Sequence, residues 1–526
     1  MKMREKYMNK KRKIIFSVIM LFFMIYLIID LNYYKNLSVK ENINFKSEKI
    51  DFLSMMLETE AKSGKYKEVT SEAWPSDDYV FNENLSGCEN GGDLKWDDAT
   101  KKVIMEGNSS DKRYVYFDKI PTFAQYVASL YTGKQGENNL YYHNGTIKSD
   151  DGTVLDANDN SYRFSGGDYE LTNKAIVSGL TRVDSSSNTT TNGVINFYCN
   201  GTRQYVGYSC SSSYTSYYTL QYDVTFTQYP THEAALNKAV YDEYLTKPIS
   251  NFVCFGYDSK DGSCPTDNLY RIIGVFDGKV KLIKYDYAKS TLLGTDGSYY
   301  SLYADNNYNY GNSKGYNSKK EIGGYYWNST ESIVWGSSTL LKTNLNTNFL
   351  TNIKNGTTTD WGSKISEHQW IVNGNTVENI LNVIPSISYQ NEINTDGSKT
   401  MSSQIGLMYV NDYTYAASPT SWTSSILDSS NNGNDYRQDA IKNKNWMYMG
   451  LEEWTITYTW KQRAHAFFIG YSGYVSYGCV IGNHSSGRND CYYNFHRDAI
   501  RPVFYLKPEI KNTSGNGTKD LPFIIK

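Results

Sequence analysis

Net charge is nearly absent from this chain: 53 Lys and Arg stand against 55 Asp and Glu. Without a basic excess it has no electrostatic footprint for nucleic acid, which needs clustered Lys and Arg against phosphate. Histidine is scarce, with six in 526 residues, and none stands in H-E-x-x-H. The G-x-S-x-G elbow and the Walker glycine loop are missing too, so no catalytic constellation of those classes is legible. None of the seven cysteines is placed at C-x-x-C spacing, which argues against zinc fingers and ribbons. A sorting signal of the LPxTG kind also fails, because Leu521-Pro522-Phe523-Ile524 lacks the Thr-Gly pair and a tail. Aromatics are plentiful, with 49 Tyr, but Asn, Lys and Ile are frequent as well. An AT-rich genome supplies that mixture by codon bias, so aromatic richness alone is weak evidence for sugar binding.

What the chain does have is one long apolar run. Residues 14–31 are apolar but for Ser17 and Asp30 and follow seven Lys or Arg in positions 2–13. As a helix rising ~1.5 Å per residue, the run would span roughly 27 Å, about one hydrocarbon core. The basic flank places the N-terminus in the cytoplasm by the positive-inside rule. Leu31-Asn32-Tyr33-Tyr34 has no small residues for signal cleavage. The expectation is a single-pass cell-membrane protein: a cytoplasmic tail over 1–13, an anchor over 14–31 and the rest extracellular. Ile50, Leu53, Met56 and Leu57 recur at helical spacing, so residues 32–68 read as a helical stalk.

Beyond residue 69 the texture becomes short β-branched and aromatic runs between Gly, Asn, Asp and Ser clusters, as in all-β and α+β domains. Three helices interrupt it. One starts at Pro121 and passes Phe123, Tyr126, Val127 and Leu130 to Gly133; one fills the stretch between Pro230 and Pro248; one covers 338–353, where Leu341, Leu345, Phe349 and Ile353 repeat every four residues.

Seven cysteines in an exported chain read as disulfides with one left over. Cys199 with Cys210, Cys254 with Cys264 and Cys479 with Cys491 each close a loop of about ten residues, worth roughly 2–3 kcal/mol, and Cys88 remains a free thiol. Phe197-x-Cys199 and Phe252-x-Cys254 begin similar hairpins. His465, His484 and His496 gather near Cys479, Asp490, Cys491 and Asp498, where a metal or Cys-His site is conceivable. A disulfide between the two cysteines explains the pattern better and removes the thiolate that such chemistry needs. Calcium is the one cofactor with candidate strings, Asp305-x-Asn307-x-Asn309 and Asp156-x-Asn158-Asp159-Asn160. The first lacks the loop glycine and the closing glutamate, and both read better as turns. For ligand binding the candidates are Tyr458, Trp460 and Tyr474, aromatics among polar residues between 458 and 494, whereas Trp446 and Trp454 read as core.

From Cys88 onward the chain resembles an uncharacterised family of bacterial cell-surface proteins. The phrases that carry the resemblance include Cys88-Glu-Asn-Gly-Gly, Tyr114 to Asp118 (YVYFD), Leu140-Tyr-Tyr-His-Asn-Gly-Thr146 and Asp159-Asn-Ser-Tyr-Arg-Phe-Ser-Gly166. They continue with Cys264-Pro-x-Asp-Asn-Leu-Tyr-Arg-Ile-Ile-Gly274, Ile405-Gly-Leu-Met-Tyr-Val-x-Asp-Tyr413 and Ile500-Arg-Pro-Val-Phe-Tyr-Leu-Lys507. The resemblance implies address and architecture: a small β-rich domain over 69–167, an inserted segment with hairpin and helix over 168–250, and a C-terminal domain of unknown function over 251–526 that is similar to C-type-lectin folds. It also implies that Arg113 stands where many relatives carry the partner of Cys88. Together these readings predict an α+β protein: one N-terminal transmembrane helix, then a β-rich ectodomain ending in a C-type-lectin-like module. Its expected role is that of an adhesin or ligand-binding protein without catalysis, with a glycan or a surface protein as partner. A structural or filament-associated component is the alternative, and an extracellular enzyme the third reading.

Overall fold

The computed structural model describes residues 53–526 apart from several short stretches and five longer ones, 168–193, 231–248, 303–320, 427–444 and 481–495. The chain divides between Ile120 and Pro121 into two compact units. Residues 121–167 therefore belong with the larger, C-terminal unit and not with a domain over 69–167.

In the smaller unit, Arg113–Lys119 is the organising strand. Arg113, Val115 and Phe117 are buried and alternate with less buried Tyr114, Tyr116 and Asp118, the period of two that one sheet face imposes. Leu53–Glu58 lies parallel to this strand and Tyr66–Val69 returns antiparallel to Leu53–Glu58. Tyr79–Phe81 and Gly87–Cys88 pair with Arg113–Lys119. Met55, Leu94, Val115 and Phe117 form the core beneath.

This sheet corrects the expected stalk. Residues 53–58 and 66–69 are strands, and no helix among the described residues is long and apolar enough to cross a membrane. Residues 14–31 and 1–13 lie outside the described residues, and the single-pass, membrane-partnered reading is withdrawn. The cause is visible in Leu53-Ser-Met-Met-Leu-Glu58, whose apolar residues fit a period of two as well as a helical one. Strand pairing decided between them: Glu58 accepts hydrogen bonds from the backbone N–H groups of Gly64 and Lys119 at 2.9 and 3.0 Å, closing the turn and fixing the sheet together.

The larger unit is built on a ten-stranded sheet. Its central order is Ile365–Ser366, Val503–Leu506, Lys279–Lys284, Leu269–Phe276, Phe252–Cys254, Phe523–Ile525 and Asn512–Ser514. Ser161–Phe164 also joins Leu269–Phe276 and carries Leu140–His143 on its other side. Val503–Leu506, an unbroken apolar run, is buried throughout and hydrogen-bonded to several neighbours. A second sheet contains Gly374–Asn375, Glu453–Thr459, His465–Ile469 and Val475–Cys479. The helix predicted from Pro121 is present over Phe123–Ala128, started by a capping box in which Thr122 and Gln125 exchange hydrogen bonds. The helix predicted over 338–353 is also present, over Leu340–Phe349 and Leu350–Asn352, with Leu341, Leu345, Phe349 and Ile353 all buried. The one between Pro230 and Pro248 lies outside the described residues.

Candidate functional site

Of the expected ligand-binding aromatics, the two among the described residues lie in or against the core. Tyr458 is only 7% exposed and belongs to the hydrophobic core. Tyr474 is half-buried, packed on that core and edge-on to Phe468 at 6.4 Å, and Trp460 lies outside the described residues. The alternation in Glu453–Thr459 fails as a guide because this strand is buried on both faces.

The disulfides Cys199–Cys210 and Cys254–Cys264 are formed, and Cys88 is free. Cys479 is also disulfide-bonded; Cys491 lies outside the described residues. Of the calcium strings, Asp305-x-Asn307-x-Asn309 lies outside them too. In the other, Asp156 accepts the backbone N–H groups of Gly145, Ile147 and Asn158, and Asp159 accepts from Ser161, Arg163 and Tyr389. Those carboxylates are occupied in turns and in an ion pair.

Several charged residues of the larger unit are instead buried in pairs. Arg163 is 2% exposed, bound to Asp159 at 2.6 Å and enclosed by Phe276, Tyr389 and Tyr415. Arg501 holds Glu453 through two bonds of 2.8 Å, and Lys281 meets Asp412 at 2.6 Å among Tyr409, Tyr505 and Phe276. Glu392 accepts from the backbone of Val410 and Asn411 and from the side chains of Asn411 and Thr457. These ions are desolvated and satisfied from within, so they specify packing and offer a ligand no open coordination or hydrogen-bond position.

Two further features stand out among the described residues. One is Tyr300, on the strand Tyr299–Leu302 and 48% exposed. The Arg497 guanidinium sits 4.5 Å from its ring centroid and Tyr326 packs edge-on at 5.2 Å. Burial, with Tyr300 alongside, pushes the Tyr326 hydroxyl up to about 12. The approach is close because Gly324 faces the Arg497 carbonyl oxygen, 3.1 Å from where a Cβ would sit.

The other is Glu452, His496 and Asp498, whose ligand-type atoms all lie within 4.8 Å of one another. A parallel bridge between Glu453 and Ala499 sets Glu452 beside Asp498, and Asp498 is tied by backbone bonds to Tyr325. The His496 ring packs at a tilt on Phe468 with centroids 4.2 Å apart, the His496 backbone N–H donates to the Cys479 carbonyl, and Gly478 leaves room for the ring, since a Cβ there would lie 2.2 Å from it. Burial and the neighbouring Asp498 push the Glu452 carboxyl up to about 7. Burial also raises Asp498, while for His496 the two carboxylates outweigh burial and raise it. Sequence reading reached His496 and Asp498, two residues apart on one side of an extended segment. It missed Glu452, Tyr300 and Arg497, which only strand pairing brings near.

No family model, no curated protein and no solved structure matches this chain.

Proposed function

We propose that the protein is a non-catalytic ligand-binding protein of the adhesin type and that the Tyr300–Arg497 pair of the larger unit binds an acidic carbohydrate. The observation that carries this reading is an exposed tyrosine ring held by a guanidinium and backed by a second tyrosine. A flat aromatic surface suits the C–H face of a sugar ring, and arginine donors suit its hydroxyl and carboxylate oxygens. Formed disulfides support an oxidising, exported setting for such a role.

Glycan-array binding by the full chain tests it. Acidic glycans should be retained, and Tyr300→Ala and Arg497→Ala should each abolish retention while the melting temperature holds. Absence of binding to any glycan would favour the structural-component reading, and binding untouched by both substitutions would remove this patch from the argument.

A further inference from the structure

We infer that Glu452, His496 and Asp498 form a binding site for a divalent transition-metal ion of the zinc class, separate from the Tyr300–Arg497 patch and independent of any glycan. The first argument is distance. His496 Nδ1 lies 3.5 Å from Asp498 Oδ1 and 3.7 Å from Glu452 Oε2. Both are longer than the ~2.7–2.9 Å of a charge-assisted bond from an imidazolium to a carboxylate. They do match the edge of a coordination tetrahedron, about 3.4 Å for metal–ligand bonds of about 2.1 Å. Each carboxylate oxygen thus stands from Nδ1 at a spacing that suits two ligands of one ion better than a shared proton, and all three ligand atoms lie within 4.8 Å of one another.

The second argument is an unsatisfied atom. Asp498 is 1% exposed, and its Oδ2 is buried with no hydrogen-bond partner among the described residues. A buried carboxylate oxygen without a donor is costly, and a cation beside it removes the penalty. Two carboxylates brought together also repel, and a divalent ion relieves that as well.

The third argument is rigidity with access. The His496 ring is packed against Phe468 and seated over Gly478, and its backbone is held by the Cys479 carbonyl; Asp498 is held by its bridge to Tyr325. The side chains of Glu452 and His496 keep 17% and 21% exposure, so solvent reaches the site and a water can complete the coordination. One imidazole with two carboxylates suits zinc or manganese; calcium prefers six to eight oxygens, and an imidazole disfavours it.

The test is zinc titration by calorimetry on the full chain after chelator treatment, with cobalt absorption as a second readout of four-coordinate geometry. One zinc should bind per chain and raise the melting temperature. Glu452→Gln, isosteric and at the solvent edge, should weaken zinc by at least ten-fold without unfolding. Asp498→Asn and His496→Gln should abolish the cobalt band. Zinc affinity unchanged in Glu452→Gln and His496→Gln would overturn the site, as would failure of the folded wild-type chain to bind zinc at tens of micromolar. Neither result bears on glycan retention, which reads out the other patch.

Discussion

Cys88 faces Arg113 across two antiparallel strands, and that register makes Arg113→Cys a sharp test of the smaller unit. Glu89 donates its N–H to the Lys112 carbonyl at 2.9 Å, so Glu89 and Lys112 are a hydrogen-bonded pair and the adjacent Cys88–Arg113 pair is of the non-hydrogen-bonded kind. Facing Cα atoms in such pairs are about 4.5 Å apart with their side chains closest, inside the roughly 4.4–6.8 Å window of disulfides. A bridge there closes a loop of about 25 residues, for which the chain-entropy model gives about 3 kcal/mol. Arg113 is 6% exposed and has interactions of its own, so its removal costs something, and Arg113→Ser measures that part. The comparison is oxidised against reduced Arg113→Cys. Thiol titration should fall by one free thiol per chain relative to wild type when the bridge forms, and the first thermal transition should rise by roughly 10 °C or more on oxidation. If the variant keeps two free thiols under mild oxidant, or the oxidised form melts below the reduced one, the register in this sheet is wrong.

Three further outcomes follow from packing and charge in the larger unit. Phe504→Ala should cost about 3–5 kcal/mol by denaturant titration, since the ring is fully buried against Phe255 at 4.8 Å and Tyr270 at 5.4 Å; half-buried Tyr474→Ala should cost less, and equal losses would show that Tyr474 is core. Asp412→Asn should cost about 3–5 kcal/mol by leaving the Lys281 ammonium buried, and adding Lys281→Met should restore more than half of it; a single-variant loss under about 1 kcal/mol would refute the pairing. His143 is buried, accepts the Ala157 N–H at Nδ1, and burial holds it well below the ordinary imidazole range. The folded state keeps it neutral while the unfolded chain takes up a proton, so stability is lost as pH falls below about 6.5, by about 1.4 kcal/mol per unit. His143→Phe should remove that slope between about pH 6 and 5, and an unchanged slope would mean the imidazole titrates in the folded protein.

Local chemistry was readable from the residues alone. Close cysteine pairs become Cys199–Cys210 and Cys254–Cys264 because ten-residue loops between extended runs bring sulfurs together with little help from the rest of the chain. The helices at Phe123–Ala128 and Leu340–Asn352 follow from capping residues and a sustained apolar stripe, and Val503–Leu506 was recognisable as buried from its unbroken apolar run. What tertiary structure decided was everything that depends on which strand lies beside which. Leu53–Glu58 carries both periods, and pairing with Arg113–Lys119 made it a strand where helical spacing suggested a stalk. Tyr458, alternating with polar neighbours, is buried because the rest of the larger unit packs on both faces of its strand. Glu452 and Asp498, 46 positions apart, become neighbours through one parallel bridge, and Tyr300 meets Arg497 through a sheet edge. Side-chain periodicity is a property of a segment and is written in its own residues; the juxtaposition of distant polar groups is a property of the sheet, and no segment contains it.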